Sequence, residues 1–238
     1  MRQEPISGPP TAADLEPTER FDFHEPTVAA FARRAAGDAE DEATRASRLF
    51  AAVREQIRYA PSGELHDPAA FAASAVLRTP QNWCVPKALL LAASARAVGI
   101  PARLGFADVR NHLSSPRLTA RMGTDLFVYH GYTLLFVEGA WRKASPAFNA
   151  ALCARFGTPA LDFDGRTDAL LHAHDGEGRR HMEYVTDHGA FADVPFERMW
   201  AAFAEHYDMA RLTRSDGGED ALFGGGGDDG TDIGATVI

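Results

Sequence analysis

From about residue 46 to 98 apolar residues recur at helical spacing, and strand-like text takes over after Gly99-Ile100-Pro101. Ala46, Leu49, Phe50, Val53 and Ile57 form one stripe at intervals of three and four, closed by Tyr59-Ala60-Pro61. Asp67-Pro68 opens a short helix that reaches Leu77. A further helix spans 87–98, with Ala88, Leu91, Ala92, Ala95 and Val98 as its apolar stripe. Gly99 suits its left-handed stop, and Pro101 lies just beyond. Strands are expected over 102–106 and 126–137. Glu138-Gly139 turns the chain so that 141–144 pairs back as a hairpin. Residues 111–124 read as a loop, two more strands are expected near 169–172 and 182–185, and Pro195 starts a final helix carrying Phe196, Met199, Trp200 and Phe203. Helices ahead of a mostly antiparallel sheet predict an α+β fold.

The two ends differ from this body. Residues 1–20 are rich in Pro, Thr and Glu without a period and read as a flexible arm, with Phe21-Asp22-Phe23 able to dock. From Ser215 the text is Gly-Gly-Gly-Gly and Asp, too poor in apolar surface to repay ordering, so 215–238 reads as a disordered tail. One domain is expected over 21–214, with a core at 40–150 and an extension at 151–214. The net charge of −9 and the lack of a basic stretch exclude general nucleic-acid binding. No run approaches a membrane span, and Met1-Arg2-Gln3-Glu4-Pro5 is no secretory signal. Two cysteines, Cys84 and Cys153, make no disulfide framework and fit a reducing, cytoplasmic setting.

The chemistry concentrates at Gln81-Asn82-Trp83-Cys84-Val85-Pro86-Lys87. Pro86 lacks an N–H and belongs in the first turn of a helix, so Cys84 stands at the helix start. There the macrodipole favours the thiolate, and the thiolate is the nucleophile. The alternative is a small buried hydrophobe, the reading given to Cys153. A thiol nucleophile needs a base, and His130 is the best placed, in Tyr129-His130-Gly131-Tyr132 of the strong strand. Gly131 beside it removes a side chain and lets another backbone or a substrate approach. A satisfied core histidine is the alternative.

Taken together, Leu77-Arg78-Thr79, Cys84, the Leu/Ala-rich helix, Gly99-Ile100-Pro101-Ala102-Arg103, the His130 strand and the hairpin to Trp141 resemble the transglutaminase-like superfamily of papain-like Cys-His-Asp enzymes. The residues from Phe156 to Pro195 look like the extension of a bacterial branch of that family. The resemblance implies a Cys-bearing helix packed on a mostly antiparallel sheet. It also implies acyl transfer through a thioester, as a cysteine hydrolase or acyltransferase acting on a peptide or amide, with no cofactor and no metal. Ser145 stands where the family has its Asp, in Trp141-Arg142-Lys143-Ala144-Ser145-Pro146. Asn149, Ser145, and from further along Asp162 or Asp164, are the candidate orienters of His130, Asn149 first. The Cys84 N–H, with Gln81 or Asn82, is a candidate oxyanion donor. Trp83 is a candidate wall of the pocket. Two other readings compete. Ser145 in the acid position favours a catalytically degenerate binding module. His172-Ala173-His174 on a strand favours a metal-dependent hydrolase.

Overall fold

The computed structural model describes residues 8–60 and 67–212. The tail expected at 215–238 and the first seven residues of the expected arm lie outside that range.

The helical half comes first. α1 (Pro26–Ala36) and α2 (Glu42–Gln56) pack on each other. Asp41 caps α2, its Oδ1 accepting from Thr44 N–H at 2.8 Å. β1 (Arg58–Tyr59) follows, then α3 (Ala73–Leu77), and β2 (Gln81–Asn82) returns to pair with β1 in parallel. α4 (Cys84–Ala97) is the central element. It carries more than the one apolar stripe expected, because every residue from Cys84 to Arg96 is buried. α1, α2 and α3 cover one side of it and the sheet covers the other, which is the setting a helix apolar all round requires.

The remaining elements are β3 (Ala102–Asn111), α5 (Pro116–Met122), β4 (Leu126–Val137), β5 (Ala140–Ala144), α6 (Ala150–Arg155), β6 (Met182–Phe191), α7 (Phe196–His206) and α8 (Met209–Leu212). The four long strands form one antiparallel sheet in the order β5-β4-β3-β6. α4 lies against β4 and β3. Thr133 on β4 donates its hydroxyl to Ala88 O at 2.8 Å, which fixes that contact.

Three expectations change. Residues 8–20 are not a loose arm: Asp14 is fully buried in an ion pair with Arg103 at 2.7 Å, and Phe21 is buried beneath Arg96. The expected loop at 111–124 contains α5, whose start signal is Ser115-Pro116. The Ser115 hydroxyl accepts from Leu118 N–H, and Gly123 at φ 74° ends the helix. The strand expected at 169–172 is reduced to one bridge, Ala169 to Ala144, while the strand near 182 continues to Phe191.

Candidate active site

Cys84 is the first residue of α4, with Trp83 as an extended N-cap. The first-turn N–H groups have no intrahelical acceptor and remain available around the sulfur. β4 crosses this helix start. A Cβ on Gly131 would lie 2.9 Å from Val85 Cα and 2.8 Å from its Cγ2, so no larger residue fits without moving strand or helix. The Gly131 N–H in turn acts on the Cys84 sulfur. Thus the backbone that follows His130 touches the residues that carry the thiol.

His130 Nε2 and Ser145 Oγ are hydrogen-bonded at 3.3 Å. Of the four candidate orienters, the Ser145 hydroxyl, on the chain just past β5, is the one that reaches the ring. Asn149 does not take that place: its Oδ1 accepts from Tyr59 N–H at 3.2 Å and it serves as the N-cap residue of α6. Asp162 is turned to Arg54 at 2.9 Å, and Asp164 accepts from the backbone of Arg166 and Thr167. Among the described residues no hydrogen bond joins Cys84 to His130.

The electrostatics overturn one sequence expectation. Cys84 is only 6% exposed, and burial pushes its pKa up to about 11, although the N–H groups of Gly131, Val85 and Cys84 itself pull the other way. Loss of hydration outweighs the helix terminus. Burial likewise pushes His130 down to about 4. The resting pair is thiol and neutral imidazole.

The surroundings are aromatic. Burial raises the pKa of Tyr59, Tyr184 and Tyr207, and nearness to Cys84 adds to it in all three. Tyr184 also meets the His130 ring edge-on at 6.4 Å. Trp83 packs between Phe71 and Phe203, each at 5.9 Å. These rings escape a local reading, because β1, β6 and the end of α7 supply them from positions far apart in the chain. Asn82 spends its side chain locally, with Oδ1 on Trp83 N–H and Nδ2 on Thr79, and Gln81 is half-buried on β2. His172 is half-buried with Nε2 unpartnered, and His174 is exposed. No three His, Cys, Asp or Glu side chains among the described residues gather as metal ligands, so His172 and His174, the basis of the competing metal reading, belong to no such group there.

β4 is distorted just before His130. Tyr129 has φ 54°, a left-handed conformation that costs a residue other than Gly about 1–3 kcal/mol. Its N–H leaves the ladder and donates to Asp108 Oδ1 at 3.0 Å, while the neighbouring Val128 N–H donates to the Tyr207 hydroxyl at 2.5 Å.

Residues 29–146, from α1 through Ser145, match the sequence family described as the transglutaminase-like superfamily. This segment belongs to the transglutaminase-like superfamily. The transglutaminase-like segment holds Cys84, His130 and Ser145, whereas β6 and α7 lie beyond it. No curated protein matches the chain. Among solved structures, a candidate cysteine protease from Cytophaga hutchinsonii is similar at 16% identity and a TM-score of 0.46, over 81% of this chain and 48% of that one. A candidate protease from Parabacteroides distasonis is similar at 18% identity and a TM-score of 0.37, over 56% of this chain and 25% of that one. The chain thus spans about half the length of the first and a quarter of the second.

Proposed function

We propose that the protein is a cysteine-dependent hydrolase or acyltransferase acting on a peptide or amide. Cys84 Sγ attacks the carbonyl carbon while its proton passes to His130 Nδ1. The Cys84 N–H at the head of α4 receives the tetrahedral oxygen. The C–N bond then breaks, the leaving amine takes the proton from His130, and a thioester remains on Cys84. Water or a second amine displaces the thiol, with His130 accepting its proton and returning it to sulfur. Ser145 holds the ring by accepting from Nε2–H, so that Nδ1 is the basic nitrogen. The observation that carries this reading is the hydrogen bond between His130 and Ser145 on the strand whose Gly131 abuts the Cys84 helix start. The family of residues 29–146 supports it. Two unpaired cysteines support a reducing, cytoplasmic setting. No helix among the described residues is long and apolar enough to cross a membrane.

The test is selective alkylation. If His130 takes the proton as the resting thiol attacks, iodoacetamide near neutral pH should label Cys84 at least about tenfold faster than Cys153, and His130→Ala should remove the preference. Mass spectrometry of the two peptides reads the outcome.

A second reading is a binding module that keeps the fold without turnover. The neutral pair and the uncharged Ser145 favour it, since a hydroxyl does not stabilise an imidazolium as a carboxylate does. Equal, slow labelling of both cysteines would decide for this module. Ser145→Asp would then be expected to create the Cys84 preference that the native protein lacks.

A further inference from the structure

β3 is the only strand flanked on both sides by irregular pairing among the described residues, and one carboxylate joins an irregularity on each side. On the β4 side, Ala107 pairs with His130 and Val109 with Phe127, so Asp108 alone faces both Val128 and Tyr129. On the β6 side, Phe106 pairs with Gly189 and Ala107 with Asp187, which leaves His188 as an extra residue, and a second shift, between Asp108 with Thr186 and Val109 with Tyr184, leaves Val185 as another. Asp108 Oδ1 accepts from Tyr129 N–H at 3.0 Å and from His188 Nε2–H at 2.7 Å. The His188 ring stacks flat on Tyr129, 4.2 Å between centroids and 13° between planes. Tyr129 is therefore held at φ 54° through its backbone by Asp108 and through its ring by His188.

The next residue is His130. An extra residue in a strand reverses which side chains face each side of the sheet beyond it. The bulge therefore decides where the His130 ring goes. A buried acidic side chain in the middle of a strand is otherwise costly, and here its oxygen takes over a ladder N–H that the bulge frees.

We propose that Asp108 is a positioning residue for His130, acting by locking the Tyr129 bulge with His188 as its partner. This rests on His130 being the base of the proposed thiol chemistry. Asp108 touches neither the thiol nor the imidazole of that pair and acts through the backbone of β4.

The test is a double-mutant cycle read by the Cys84 alkylation rate. Asp108→Ala should lower the rate by about the same factor as His130→Ala, and the double variant should be no slower than His130→Ala alone. Asp108→Asn keeps an oxygen able to accept both hydrogen bonds and should stay within about threefold of the native rate. Additive losses, or an Asp108→Ala rate equal to the native one, would overturn the proposal. If His130→Ala alkylates like the native protein, the thiol chemistry itself fails, and the positioning claim is decided by NMR. There the ring ¹³C and ¹⁵N signals of His130 should move in Asp108→Ala and return in Asp108→Asn. His188→Phe keeps the ring over Tyr129 and loses the donor to Asp108. It should move the same signals in the same direction by a smaller amount, and it serves where Asp108→Ala does not fold. Unchanged His130 signals in these variants would overturn the proposal whatever Cys84 does.

Discussion

His130 is 5% exposed, with one hydroxyl on Nε2 and the Tyr184 ring edge-on beside it, so the lost hydration falls on the imidazolium. Its pKa falls from 6.5 to about 4. A depressed folded pKa means that the unfolded chain holds more protons between these values. The stabilisation is complete above 6.5 and disappears as pH falls through 4, by on the order of 3 kcal/mol. Cys84 works at the other end: its raised pKa costs stability as pH climbs from 9 through about 11. His130→Gln cannot take up the proton. Urea unfolding of the native protein should weaken between pH 7 and 4 more steeply than that of the Gln variant, and parallel curves would show that His130 is not held neutral.

At the scale of elements, α4 is where packing and chemistry meet. It is enclosed by α1, α2, α3 and the sheet, and its first turn is fastened to α2 through Lys87. Lys87 is fully buried one turn into the helix. Its Nζ donates to Arg54 O at 3.0 Å and to Ile57 O, the carbonyls at the C-terminal end of α2. This cation complements the negative end of the α2 dipole and ties it to the Cys84 turn. Lys87→Met fills the same volume and leaves those carbonyls without the ammonium. It should destabilise the fold by about 2–3 kcal/mol, measured as a shifted urea midpoint with an unchanged m-value. An unchanged midpoint would mean that water replaces the lysine there.

For the molecule as a whole, the N-terminal residues 8–25 behave as part of the body rather than as an appendage. Asp14 and Arg103 bury their charges completely, Arg103 stacks on Trp141 at 4.3 Å, and Trp141 donates its indole N–H to Gly8 O at 2.7 Å. Arg96 bonds Glu16 O, Ala102 O and Ala192 O, and so joins that segment, α4 and the end of β6. Removing one partner of a buried pair leaves the other charge costly. Asp14→Asn should therefore lower stability by about 3–5 kcal/mol and lower the cooperative transition as one unit. A separate early melt of the N-terminal segment, with the main transition unmoved, would argue that it is merely laid on the surface.

The local text determines the parts that depend on neighbours in sequence. Pro86 and Gly99 set the ends of α4, Glu138-Gly139 sets the hairpin, and the α2 stripe and the α7 aromatics announce buried faces; these follow from steric and periodic rules that need no partner. The Ser115-Pro116 cap is equally local, and a loop reading passes it over because polar residues crowd that stretch. The candidate thiol and imidazole are visible for the same reason, since their placement at a helix start and beside a glycine is written in adjacent residues. Tertiary structure alone decides the rest. The sequence cannot show that burial would outweigh the helix terminus and raise Cys84, because burial depends on how the helices and the sheet close around the start of α4. Nor can it show that Ser145 rather than Asn149 reaches the ring, because that turns on how the chain leaves β5 and where β1 meets α6. The docking of Asp14 on Arg103 comes from the N-terminal segment packing back on β3, and the Tyr129 bulge ahead of His130 comes from the register of β3 with β4; both join residues far apart in the chain, and only the folded molecule brings them within reach of one another.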